Sequence, residues 1–176
     1  MATTLQVSIP ANPRVAGWRA DTPGAATRVH LNNAGAALVP RPVSAAIAEH
    51  LGREAALGGY EAADAARDAI EAVYASVGRL IGAPAGTIAL SQSATTAYAA
   101  ALAAFDFRAG DSIVTTRADY ASNQIMYLSL ARRLGVDIIR ADDLAEGGVD
   151  PESVRAIVAR RRPVLVAVSW IPTNSG

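Results

Sequence analysis

Apolar residues follow two rhythms along this chain: a helical spacing in the first half, and short apolar runs alternating with helical stretches in the second. Val43, Ala46, Ile47, Leu51 and Ala55 fall on one helical face behind Pro40-Arg41-Pro42, and Gly58-Gly59 closes that helix. A longer helix is predicted from about Tyr60 to Ile81. Its stripe is Ala63, Ala66, Ile70, Val73, Val77 and Leu80, with Glu61, Asp64, Arg67, Asp68 and Glu71 turned to water. Gly82-Ala83-Pro84 stops it. Beyond this point Thr87–Leu90, Ser112–Thr115, Val136–Ile139 and Val164–Val168 read as strands. Between them, Thr95–Phe105, about Ser122–Leu134, and a run from Pro151 to Arg160-Arg161-Arg162 read as helices. Asp150-Pro151-Glu152 opens the last of these with a capping carboxylate, a proline at the first helical position and an acid on the positive dipole end.

Strands alternating with helices at this spacing predict an α/β domain with a mainly parallel sheet. Residues 1–27, broken by Pro10, Pro13, Gly17, Pro23 and Gly24, read as an irregular N-terminal arm with room for a short helix. Residues 28–176 read as part of one domain. That domain opens with a short extended stretch, Arg28-Val29-His30-Leu31, and the turn-forming Asn32-Asn33-Ala34-Gly35. The chain reaches Pro172-Thr173-Asn174-Ser175-Gly176 directly after a strand, so the domain is expected to be incomplete within these residues.

Composition narrows the class. Half of the residues (51%) are apolar and 18% are charged, as in a folded globular protein. Sixteen basic and sixteen acidic residues cancel, which gives no electrostatic reason for a nucleic-acid or acidic-membrane partner. No apolar run is long enough to span a bilayer, the first residues lack a signal-peptide pattern, and there is no cysteine; a cytoplasmic location is expected. All sixteen basic residues are arginine. No side-chain amine in these residues can form a Schiff base.

Ser91-Gln92-Ser93-Ala94-Thr95-Thr96, between a predicted strand and its helix, carries the strongest chemical signal. Small residues admit a ligand close to the backbone, and free helix N–H groups with the hydroxyls of Ser93, Thr95 and Thr96 suit a phosphate. The same residues also make an ordinary Ser/Thr helix cap that needs no ligand. Asn33 and Gly35 sit in a turn able to present donors to a carboxylate. Tyr120, after a predicted strand, and Asn174, past the last one, stand where α/β proteins build their sites. Each of these also reads as a plain loop residue. His30 and His50 have no partner at ligand spacing, so no metal site is expected.

Five segments in order resemble the class V aminotransferase family of fold-type I pyridoxal-phosphate (PLP) enzymes. They are Leu31–Gly35, Gly58-Gly59-Tyr60-Glu61-Ala62-Ala63, Ser93–Thr96, Asp119-Tyr120-Ala121-Ser122-Asn123 and Ile171–Gly176. The group includes cysteine desulfurases, isopenicillin-epimerase-like proteins and ergothioneine-type C–S lyases. The resemblance implies a three-layer α/β/α PLP-transferase large domain, of which this chain holds the N-terminal part, and PLP as cofactor. By position it implies that Ala94 and Thr95, flanked by Ser93 and Thr96, bind the phosphate. Tyr120 matches the residue that stacks on the pyridine ring, and Asn174 the one near the phenolic oxygen; Asn33 and Gly35 match a segment near the substrate. Trp170 stands where many relatives carry histidine.

The family's Schiff-base lysine and the aspartate that pairs with the pyridine nitrogen both match positions beyond Gly176, so no catalytic residue is assigned here. The implied sheet order is 3-2-4-5-6-7-1, of which this chain supplies strands 1 to 4. Strand 1 therefore lacks its neighbour and strand 4 has an apolar open edge. The expected parent is a homodimer acting on an amino-acid substrate, with C–S cleavage or sulfur transfer as the first reading of its reaction and transamination or epimerisation as the second. These residues alone are expected to be inactive. The alternatives are a non-catalytic binding or dimerisation module, or another phosphate-binding α/β domain. Against the latter, Ser93–Thr96 matches neither a Gly-x-Gly-x-x-Gly fingerprint nor a P-loop.

Overall fold

In a computed structural model that describes residues 12–84 and 86–172, the chain divides into two compact units, Met1–Ile88 and Ala89–Gly176. The division expected after residue 27 falls inside the first unit.

The first unit is helical among the described residues. Helix α1 (Pro13–Asp21) starts where Asn12 Oδ1 accepts from Arg14 N at 3.0 Å, with proline at the first position. A 3-10 turn, Pro23–Ala26, follows. The predicted strand at Arg28–Leu31 does not form: Val29 and Leu31 are each 91% exposed, and among the described residues no neighbouring strand completes a ladder. Helix α2 (Arg41–Leu57) appears where its apolar spacing put it, and ends at Gly58, whose φ of +93° favours a residue without a side chain.

The long helix predicted over 60–81 is two. Helices α3 (Gly59–Ala65) and α4 (Arg67–Ile81) meet at Ala66, whose N–H is shared among the carbonyls of Ala62, Ala63 and Asp64. No glycine or proline marks this break. It leaves Ala62 and Ala66 buried, and Arg67 pairs back with Asp64 across it.

The second unit is built on three parallel strands, β1 (Ser112–Thr115), β2 (Asp137–Arg140) and β3 (Leu165–Val166), in the order β2-β1-β3. This is the 3-2-4 portion of the expected order. Ile113 lies opposite both Ile138 and Leu165, and Val114 opposite Ile139 and Val166. Alternation along the strands then sends these two rows to opposite faces. On one face Ile113 packs with Leu102 of helix α5 (Ala94–Ala103), Tyr127 of helix α6 (Ala121–Leu134), Phe107 and Val136. On the other, Val114 packs with Ile157 of helix α7 (Pro151–Arg161) and with Ala141. Helices on both faces leave β1 wholly buried, each of its large apolar side chains contributing about 1.5–3 kcal/mol. The unit is thus a helix–sheet–helix sandwich.

Thr87–Leu90 forms no strand, contrary to expectation. A strand needs a partner for its backbone groups, and among the described residues it has none. Leu165–Val166 is shorter than predicted, although Val164 N and Ala167 N still donate to Ser112 O and Val114 O at 2.9 and 2.8 Å. Its outward residues Val164, Val166 and Val168 are 41–43% exposed. Gly135 ends α6 with φ +72°, its N–H bonded to Ala131 O. Among the described residues no helix is long and apolar enough to cross a membrane.

Candidate functional site

The chemistry of the second unit gathers where β1 and β3 end and α5 and α6 begin. Ser93 caps α5: its Oγ accepts from Thr96 N at 3.2 Å and lies 3.0 Å from Thr96 Oγ1. Two hydroxyls share that contact, so one proton is spent between them and one is left to donate outward. Ala97 N is satisfied by Ser93 O at 2.9 Å, whereas the N–H groups of Ala94 and Thr95 precede any intrahelical acceptor. Thr95 Oγ1 stands 3.4 Å from Ser122 Oγ, in the first turn of α6. The residues expected to hold a phosphate therefore share their end of the unit with a second helix N-terminus, where each positive end favours an anion by about 0.3–1 kcal/mol.

Tyr120 is the N-cap residue of α6 and is 60% exposed. Its backbone is held by Asp119, to which sequence reasoning assigned no role. Asp119 Oδ1 accepts from Tyr120 N at 2.7 Å, Asn123 Nδ2 at 3.0 Å and Ser169 Oγ at 3.0 Å. Its Oδ2 accepts from Thr115 Oγ1 and Gln124 Nε2, both at 3.4 Å. Nothing in the sequence pairs Asp119 with Ser169, 50 residues away.

Beneath lies a cleft of about 300 Å³, lined by Tyr98, Asp119, Asn123, Tyr127 and the Leu165–Ser169 segment. Tyr98 and Tyr127 meet hydroxyl to hydroxyl, with their rings edge to face at 6.2 Å. Burial pushes the Tyr127 phenol far above its ordinary range, and the Tyr98 hydrogen bond and the Asp119 charge add to this. Burial also raises Tyr98, partly offset by its bond to Tyr127. This pair was not anticipated. Its only trace in sequence is a polar tip on otherwise apolar helix faces.

Asn33 and Gly35 belong to the first unit. Their turn is closed by Ala36 N on Asn32 O at 3.1 Å and spanned by His30 Nε2 against Ala36 O at 2.8 Å. A Cβ at Gly35 would stand 2.8 Å from the Asn32 side-chain amide, so a substitution there would require that amide to shift. Asn33 also lines a groove of about 610 Å³ with Trp18, Arg19, Arg28 and His30. Asn174 lies outside the described residues.

The donor set at Ser93–Thr96 and Ser122 suits a dianionic phosphate, and an exposed tyrosine such as Tyr120 suits contact with a planar heterocycle; a phosphate and a flat ring are the two ends of PLP. No curated protein matches the sequence. Solved structures that share the fold include the following two. One is the apo cysteine desulfurase from Thermococcus onnurineus NA1, at TM-score 0.78 and 23% identity, covering 100% of this chain and 43% of that one. The other is a C-DES lysine-to-alanine mutant with glycine covalently linked to the PLP cofactor, at TM-score 0.69 and 17% identity, covering 85% of this chain and 48% of that one. The chain thus spans less than half the length of either protein, with the same mixed helix and parallel-sheet fold. The sequence matches the aminotransferase class-V family over residues 29–176, which implies PLP as cofactor: the chain belongs to that family.

Proposed function

We propose that these residues are the N-terminal part of a PLP-dependent enzyme acting on an amino-acid substrate, with C–S cleavage or sulfur transfer as its reaction and transamination as the alternative. The observation that carries the reading is the Thr95–Ser122 contact. It sets the hydroxyls of two helix N-termini side by side, and the exposed Tyr120 stands two residues before Ser122 in the sequence. In this reading Ser93, Ala94, Thr95 and Thr96 receive the phosphate, Tyr120 lies against the pyridine ring, and Asn174 stands near its phenolic oxygen. Asn33 and Gly35 border the substrate. When bound, PLP supplies an electron sink for charge developing at the substrate α-carbon. The chain's own part is to neutralise the phosphate with helix ends and hydroxyls, and to fix the ring plane. With no lysine in these residues, they hold the cofactor by non-covalent contacts alone and are inactive by themselves.

The test is a titration of the chain with PLP, followed by its visible absorbance and tyrosine fluorescence. Thr95→Val is expected to weaken binding about tenfold, the loss of one charge-assisted hydrogen bond. Equal affinity for PLP and a nucleoside monophosphate would instead favour a general phosphate-binding domain.

Homodimerisation through the first unit belongs to the same proposal. No residue of α2 is buried, and Val43, Ile47, Leu51 and Leu57 are each about half exposed on it. An apolar helix face of this kind is normally covered by a partner surface. Sedimentation equilibrium of the chain tests this, a monomer at micromolar concentration counting against it.

A further inference from the structure

Asp119 accepts five hydrogen bonds from four places: its own loop at Tyr120 N, the end of β1 at Thr115, α6 at Asn123 and Gln124, and the segment after β3 at Ser169. A carboxylate is acceptor-only, and its roughly four lone-pair sites are shared among these five donors, whereas an asparagine of the same shape would turn an N–H₂ towards donors. The Tyr120 ring itself is mostly exposed, so its position is inherited from its backbone, and that backbone is held to Asp119 by the 2.7 Å bond. Ser169 precedes Trp170 and stands five residues before Asn174 in the sequence. One side chain thus ties the loop bearing the proposed ring-stacking residue to the strand end that leads to the other proposed ring contact.

We propose that Asp119 is a positioning residue for the cofactor: by holding the Tyr120 loop and the segment after β3 at a fixed separation, it presets the slot that a flat pyridine ring enters. This rests on the reading of Tyr120 as the stacking residue. Among the described residues no hydrogen bond joins Asp119 to Ser93–Thr96, and its link to Tyr120 is through the backbone N–H, so it acts through Tyr120. The alternative, that Asp119 only stabilises the start of α6, predicts a loss of stability without a specific effect on the ring.

The experiment is a double-mutant cycle on the whole chain with PLP as probe, reading the dissociation constant and the induced circular dichroism of the bound ring. Asp119→Asn is expected to weaken PLP about three- to tenfold and to diminish the induced signal, the scale of a lost aromatic stacking contact. Affinity for inorganic phosphate alone stays unchanged. In a Tyr120→Ala background the same change should cost less than about twofold, because the two residues act as one unit. Full additivity, or undiminished PLP binding by Asp119→Asn, overturns the positioning role while leaving the cofactor reading intact. Failure of the unsubstituted chain to bind PLP, or indifference to Tyr120→Ala, overturns the cofactor reading and this proposal with it. Should Asp119→Asn not fold, Ser169→Ala removes one donor and leaves the carboxylate in place. It is expected to reduce the induced signal in the same direction, and no change would refute the proposal.

Discussion

Removing a single oxygen from Tyr127 should change how the protein responds to alkali. Tyr127 is 1% exposed, its ring packs edge to face on Tyr98, and its hydroxyl meets that of Tyr98. Tyr127→Phe keeps the ring and loses the hydrogen bond, so at neutral pH it should destabilise the second unit by about 1 kcal/mol. The pH dependence has the opposite sense. Burial holds the folded-state phenol well above the unfolded value near 10, so the folded form keeps a proton that the unfolded form gives up. Stability from this group is complete below pH 10 and is lost as pH rises beyond it, by about 1.4 kcal/mol per unit. The phenylalanine variant lacks this loss, and its curve should cross that of the parent at about pH 11. Urea unfolding followed by far-ultraviolet circular dichroism between pH 7 and the alkaline limit of folding measures both effects. Parallel curves for the two proteins across that range would refute the account of Tyr127 as a buried, protonated phenol.

Other outcomes follow from local geometry. Arg162 ends α7 with φ +47°, a conformation that costs a side chain about 1–2 kcal/mol, so Arg162→Gly should raise stability by about 0.5–1 kcal/mol after the entropy of glycine is counted. Asp150→Ala removes the carboxylate that caps Glu152 N at 2.8 Å and should cost about 1 kcal/mol in thermal or urea unfolding. Ile113→Ala, at a fully buried position on the central strand, should cost about 2–5 kcal/mol; a loss under 1 kcal/mol would mean that β1 is not the centre of the core. Ser93→Ala should both loosen α5 by about 1 kcal/mol and weaken phosphate binding, measured by unfolding and by competition against PLP.

Elements that carry their own punctuation were legible from sequence. Helix α2 is bounded by Pro40 and Gly58, α6 by Gly135, and α7 by Asp150-Pro151, and each was read within a few residues because the stop and start signals are local. The β1 segment was legible from its apolar run. Arg28–Leu31 and Thr87–Leu90 have strand-like composition too, but a strand is a property of a pair, and composition carries no information about the partner. The break at Ala66 arises without any helix-breaking residue. At the candidate site the cap residues Ser93–Thr96 announced themselves through hydroxyls in a strand-to-helix turn. The Asp119 network did not, because its donors arrive from four segments and only the fold brings them together.

The parallel order β2-β1-β3 has a consequence for the way the unit comes into being. The central strand is synthesised first, yet it pairs with β3 only after roughly fifty further residues have emerged, through two crossovers each carrying a helix. Closing loops of that length before any long-range contact rewards them makes folding slow and its transition state non-local. Ser169 follows β3, so the bond that completes the Asp119 network is among the last to form. A partly folded chain, with β1 and β2 already joined, would carry both helix N-termini of the candidate site and still lack the tie between the Tyr120 loop and the segment after β3. Ligand competence and completion of the sheet should therefore appear in the same kinetic phase.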